Sequence, residues 1–154
     1  MLSINEEKII AVFNQGDSYM SYKIDEIEGI GPAMSKKLAQ ADIKTTDDLL
    51  KACCEKKGRV STADATGCTT TQLLKWANMA DLMRISGVGE EFSELLEAAG
   101  VDTVKELRNR NAANLAAAMA TTNEEKKLTR VTPSEKTVQK WVDQAKTLKP
   151  LITH

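Results

Sequence analysis

Residues 27–50 read IEGIGPAMSKKLAQADIKTTDDLL, and residues 85–107 read ISGVGEEFSELLEAAGVDTVKEL. The second stretch repeats the first. Ile27, Gly29 and Gly31 match Ile85, Gly87 and Gly89, and Leu38, Ala41, Ile43, Thr45 and Leu49 match Leu96, Ala99, Val101, Thr103 and Leu107. A second echo, LLKWANMADL (73–82) and VQKWVDQAKTL (138–148), pairs Trp76 with Trp141 at a wider offset. Copy two therefore carries an insertion, TTNEEKKLTRV (121–131), expected to form a polar loop with a helical turn. Self-similarity of this kind is the mark of duplicated supersecondary units.

Each copy holds the pattern h-x-G-h-G followed by Leu, as Ile27-Glu28-Gly29-Ile30-Gly31…Leu38 and Ile85-Ser86-Gly87-Val88-Gly89…Leu96. Paired glycines let the backbone turn sharply between helices, and Ile30 and Val88 are expected to plug the turn into the core. The helix that follows begins with unpaired N–H groups and a positive dipole end, which suits a phosphate. Helix starts are marked at Thr45-x-x-Asp48, Thr69-x-x-Gln72, Thr103-x-x-Glu106 and Thr132-Pro133-x-Glu135. Gly67 and Gly100 suit helix C-termini. Alternating β-branched runs of strand length are missing, so no sheet is expected. Each copy reads as a short helix, a glycine hairpin, a second helix, a Thr-capped helix, one more short helix and a Trp helix.

These residues resemble the helix-hairpin-helix superfamily. Ile27–Leu50 is most similar to the N-terminal domain of RadA-type recombinases, and the tandem arrangement resembles a bacterial family known only as a domain of unknown function. The fold expected is all-α, with duplicated helix-hairpin-helix units packed into one compact helical domain, unit 1 over 22–81 and unit 2 over 82–149. Residues 150–154 form a C-terminal tail in which His154 is expected to be disordered. Residues 1–21 lie outside the repeat, and Ser3-x-x-Glu6, followed by Ile9, Ile10, Val12 and Phe13, suggests one extra helix ended by Gly16. The resemblance implies sequence-independent contact with the DNA backbone. On this chain that falls to Gly29, Ile30, Gly31 and Ala33, since Pro32 has no N–H, with Lys36 and Lys37 one turn on. The superfamily also includes protein-binding members and copies that serve only the fold.

Charge separates the two copies. Lys36 and Lys37 follow the first hairpin, whereas Glu90, Glu91, Glu94 and Glu97 follow the second. Carboxylates at Glu90 and Glu91 complement a helix dipole and repel an incoming phosphate, so Gly87, Val88 and Gly89 read as a structural or protein-facing hairpin. A second basic face is carried by Lys126, Lys127, Arg130, Lys136 and Lys140, continuing to Lys146 and Lys149. It reads either as a solvated face or as a track for the DNA backbone. Trp76 and Trp141 are expected to anchor the core, because no aromatic residue is interleaved with these lysines as a base-stacking surface requires.

The 154-residue chain carries a net charge of −1, which withholds the strong basic balance of many nucleic-acid binders. Its three cysteines, Cys53, Cys54 and Cys68, lack zinc or disulfide spacing, and no apolar run approaches the ~20 residues of a membrane span. A cytoplasmic protein is expected. Neither a G-x-x-x-x-G-K-[ST] loop nor a G-x-S-x-G turn occurs, so neither an enzyme, a cofactor, a metal nor a small-molecule substrate is expected. Three functions compete: a DNA-backbone-binding module acting through the first hairpin, a protein-interaction or scaffold module, and an accessory domain to a nuclease or glycosylase.

Overall fold

Helix boundaries follow from capping chemistry at most positions. The computed structural model describes residues 9–14 and 17–154. Among them are a two-stranded antiparallel hairpin, β1 (Ile9–Asn14) and β2 (Asp17–Tyr22), a 3₁₀ turn at Ile24–Glu26, and eight α-helices. The helices are α1 (Pro32–Gln40), α2 (Thr46–Cys53), α3 (Lys56–Thr66), α4 (Thr70–Leu82), α5 (Glu90–Ala98), α6 (Val104–Leu107), α7 (Ala112–Lys126) and α8 (Glu135–Thr147). The result is an all-α domain with a small β-hairpin at its N-terminal edge.

Thr45 and Thr69 open α2 and α4 with full capping boxes, each hydroxyl accepting from the amide three residues on and each partner side chain reaching back. Thr103 caps α6 in the same way on one side, accepting from the Glu106 amide at 3.4 Å. Helices α1 and α5 end alike. Ile43 N–H donates to Leu38 O at 2.9 Å and Val101 N–H to Leu96 O at 2.9 Å, across Asp42 at φ 63° and Gly100 at φ 97°. This is a Schellman closure, and it buries the apolar residue that follows the turn.

Several expectations are corrected. Ile9–Asn14 is a strand rather than a helix, pairing with Asp17–Tyr22 in the register Ile9↔Tyr22 to Asn14↔Asp17. A short β-branched run fits either geometry, and here pairing with the next six residues satisfies its backbone. The cap read at Ser3 and the stop read at Gly16 lie outside the described residues. Helix α8 is capped by Ser134, which accepts from the Thr137 amide at 3.2 Å, not by Thr132. Pro133 thus precedes the cap and is buried, as is Val138 four residues beyond the cap, the spacing of a hydrophobic staple. The insertion is largely helical: α7 is one 15-residue helix running to Lys126, closed by Lys127 at φ 51°.

Apolar residues gather into two adjoining clusters rather than a single shared core. One is built from Ile27, Ile30, Leu38, Leu49, Leu73 and Trp76 among others, the second from Ile85, Val88, Leu95, Leu96, Leu107 and Trp141 among others. They meet at Leu82 and Met83, the end of α4. Polar groups tie the seam. Buried Asp81 accepts from Arg84 Nη1 at 2.8 Å and from the Val104 amide at 2.9 Å, while Arg84 Nη1 also donates to Lys149 O at 3.0 Å.

After α8 the chain returns to the first cluster. Leu151 and Ile152 pack against it. Thr153 N–H donates to Cys54 O at 2.8 Å, and Thr153 O accepts from buried Arg59 Nη2 at 2.7 Å. His154 is exposed and lines a shallow cleft with Lys56, Arg59 and Thr70.

Trp76 and Trp141 are 4% and 3% exposed, so cutting either to alanine empties a large buried volume. Each substitution is expected to lower stability by about 3–5 kcal/mol in urea unfolding; a neutral result would remove that Trp from the core. A chain starting at Met20 is expected to remain folded, with a melting temperature close to the full chain's. It keeps the Ser21 hydroxyl, which accepts from the Asp47 amide, and the Tyr22 amide, which donates to Thr46 Oγ1. Insolubility, or a much lower melting temperature, would place residues before Met20 in the core.

Candidate nucleic-acid interface

The two glycine turns are built alike. Gly29 and Gly87 have φ 94° and 88°, the left-handed region where a side chain is strained. Ile30 and Val88, 4% and 0% exposed, plug the turns as expected. In each case the amide of that plug residue is already used: Ile30 N–H donates to Ile27 O and Val88 N–H to Ile85 O, both at 3.1 Å. Ile30 therefore drops out as a phosphate donor and serves the turn instead.

Behind each turn stands a tryptophan. A Cβ placed on Gly29 would lie 3.3 Å from Trp76 Nε1, and one on Gly87 would lie 3.5 Å from Trp141 Nε1. Positive φ favours glycine at both turns, and at Gly29 the indole edge makes the space tight as well. Phe92 of α5 packs obliquely on Trp141, centroids 5.3 Å apart.

The helix starts differ in charge. Helix α1 begins with Gly31 as cap and Pro32 at its first position, and its first turn holds no acid. Among the described residues no group accepts from the amides of Gly31, Ala33 or Met34. Lys36 and Lys37 are exposed on the same helix. Helix α5 begins with Glu90 and Glu91, and Ser93 Oγ donates to Glu90 O at 2.9 Å.

Sequence reading missed a contact between the two turns. The Glu90 carboxyl is hydrogen-bonded to that of Glu28, the residue just before Gly29. Partial burial, then this hydrogen bond and the charges of Glu28, Glu26 and Glu94, push the Glu90 carboxyl up to about 7. Glu94 is also pushed up, first by burial and then by Glu28, with Lys75 partly offsetting. No local spacing rule pairs residues this far apart; only the packing of the first turn on the start of α5 does.

The second basic face is not uniform. Lys126 shares a cleft of about 380 Å³ with Lys75, Glu94 and Glu97, while Lys136 and Lys140 line another with Glu135. Lys127 and Arg130 are exposed in and near the turn after α7. The surface around Lys126 is thus mixed in charge rather than a continuous positive track.

The Glu28–Glu90 pair has a consequence for stability. Glu90 holds its proton in the folded chain up to about 7, whereas an unfolded glutamate releases it near 4.5. Between those values the folded state binds more protons, so this pair's contribution falls as pH rises and is lost above about 7. Glu90→Gln is expected to raise the melting temperature above wild type at about pH 8 and to leave it unchanged at about pH 4, read by circular dichroism. An equal effect at both would contradict the pairing.

Comparison with curated proteins and with solved structures returns no match. One family model does match, over residues 28–148, from Glu28 ahead of the first glycine turn to the end of the Trp141 helix. That span takes in both glycine turns and both tryptophans, and the chain belongs to the family described as the domain of unknown function DUF4332.

Proposed function

We propose that this chain is a non-catalytic, cytoplasmic module of two helix-hairpin-helix units that contacts the DNA backbone, independently of sequence, through its first hairpin. The observation that carries the reading is the start of α1. Three free amides, no carboxylate in the first turn, and Lys36 and Lys37 one turn on make an anion site of the kind helix N-termini provide. The like geometry of Gly29 and Gly87 supports duplication of the unit. The second hairpin, closed to phosphate by Glu90 and Glu91, serves as support. Three free thiols fit a reducing compartment.

A second reading, a protein-interaction module, is favoured by one observation: the carboxyls of Glu28, Glu90 and Glu94 lie together where the two hairpins meet. Such a face repels phosphate and suits a basic partner. The two readings differ in what charge reversal does.

On the DNA reading, affinity is weak, independent of sequence and steeply dependent on salt, each neutralised phosphate adding ~0.9 to the log–log slope. Lys36→Glu with Lys37→Glu is expected to abolish binding in a fluorescence-anisotropy titration, and Glu90→Ala with Glu91→Ala to leave it equal or stronger. Binding that survives the lysine reversals moves the site to Lys126, Lys127, Arg130, Lys136 and Lys140. A wild-type chain that binds no DNA even at low salt leaves the protein-interaction reading in its place.

A further inference from the structure

The indole N–H groups of Trp76 and Trp141 have no acceptor among the described residues. A buried indole N–H ordinarily finds one. Trp76 is only 4% exposed, yet its Nε1 is not among the buried polar atoms sealed from solvent without a partner. The N–H therefore opens at one point on the surface, and the glycine turn marks that point. Beyond the residues adjoining Gly29 in the chain, Trp76 Nε1 is the one atom among the described residues within 4 Å of where a Gly29 Cβ would stand. Any other residue there would cover the N–H. At Gly31, two residues on, no described atom beyond its chain neighbours lies within 4 Å of a Cβ position.

We propose that the Trp76 indole N–H is a direct phosphate donor, completing with the Gly31 and Ala33 amides an oxyanion site at the first hairpin. Indole nitrogen only donates, so it fits an acceptor-only oxygen such as that of a phosphodiester or a free phosphate. The amides at the start of α1 add their own donors and the positive dipole end. Lys36 and Lys37 supply charge one turn on. Trp141 stands in the same relation to Gly87, but Glu90 and Glu91 occupy the matching helix start, so its N–H stays without an anion. The inference rests on the reading of the first hairpin as a phosphate site and names a side-chain donor in it.

The test uses the uniformly ¹⁵N-labelled full chain at low salt, with the two indole cross-peaks assigned through Trp76→Phe and Trp141→Phe. Two probes are titrated: a mixed-sequence duplex of about 20 base pairs, long enough for non-specific backbone contact, and inorganic phosphate. The expected result is a saturable downfield movement of the Trp76 indole peak together with the Gly31 and Ala33 amides, the Trp141 indole remaining still. Trp76→Phe, which keeps an aromatic ring but loses the pyrrole half with its N–H, is expected to weaken binding by roughly tenfold, as loss of a hydrogen bond to a charged group does. Trp141→Phe, which loses the same volume from the second cluster, is expected to leave binding unchanged. If the duplex moves Gly31 and Ala33 while the Trp76 indole stays fixed, the inference is overturned and the DNA reading stands. If phosphate moves all three and the duplex none, the donor set is upheld and the DNA reading fails. If neither probe moves the Trp76 indole, the inference is overturned whatever else binds.

Discussion

The ion pair between Asp81 and Arg84 is the constraint on which the arrangement of the two clusters depends. Both side chains are 1% exposed. Removing one charge from such a pair leaves the other stranded in an apolar setting, a loss of about 3–5 kcal/mol. The pair lies at the end of α4, where the clusters meet. Asp81 reaches forward to the first amide of α6. Arg84 reaches to Lys149 O through its guanidinium and, through its own carbonyl, accepts from the Met20 amide at 3.4 Å. The buried pair thus fixes α4 against the second cluster and the segment after α8, while the Arg84 backbone holds β2. Val104 N–H and Lys149 O, the partners that reach these segments, are backbone groups.

The first and second glycine turns share a backbone and differ in charge. The shared part is dictated by the backbone: positive φ at Gly29 and Gly87, each with an indole edge packed behind it. The charge that follows each turn is free to differ, because exposed positions at a helix start carry little of the packing. Glu28 complicates the division, since it brings a carboxyl from the first turn to the start of α5. The two faces are therefore electrically coupled, and the balance between attraction at Lys36 and Lys37 and repulsion at Glu28 shifts with the protonation of Glu90.

The legible part of the fold was the part governed by local rules. Capping boxes at Thr45 and Thr69, the Schellman closure at Gly100 and the buried plugs Ile30 and Val88 all follow from residues within one turn of each other. Ile9–Asn14 is ambiguous in sequence because six mostly apolar residues fit a helix face as well as a strand, and the partner strand Asp17–Tyr22 shows no clean alternation. The cap of α8 was misplaced by two residues because Thr132 and Ser134 both satisfy the chemistry, and the buried Pro133 between them decides for Ser134. At the candidate site, Gly31, Ala33, Lys36 and Lys37 were legible from the turn motif. The engagement of the Ile30 amide, the Trp76 edge and the Glu28–Glu90 contact were not, since each arises from packing that no short spacing encodes.

The return of the chain to its first cluster sets an order of assembly. Ile24, Ile27 and Leu38 emerge from the ribosome early, but Leu151 and Ile152, which pack against the same cluster, emerge only after the whole second cluster has been made. Arg59 can likewise donate to Thr153 O only then. During synthesis the half translated first is thus the half finished last. For that interval the apolar strip under Leu151 and Ile152 is uncovered, and Arg59 Nη2 has water in place of Thr153 O.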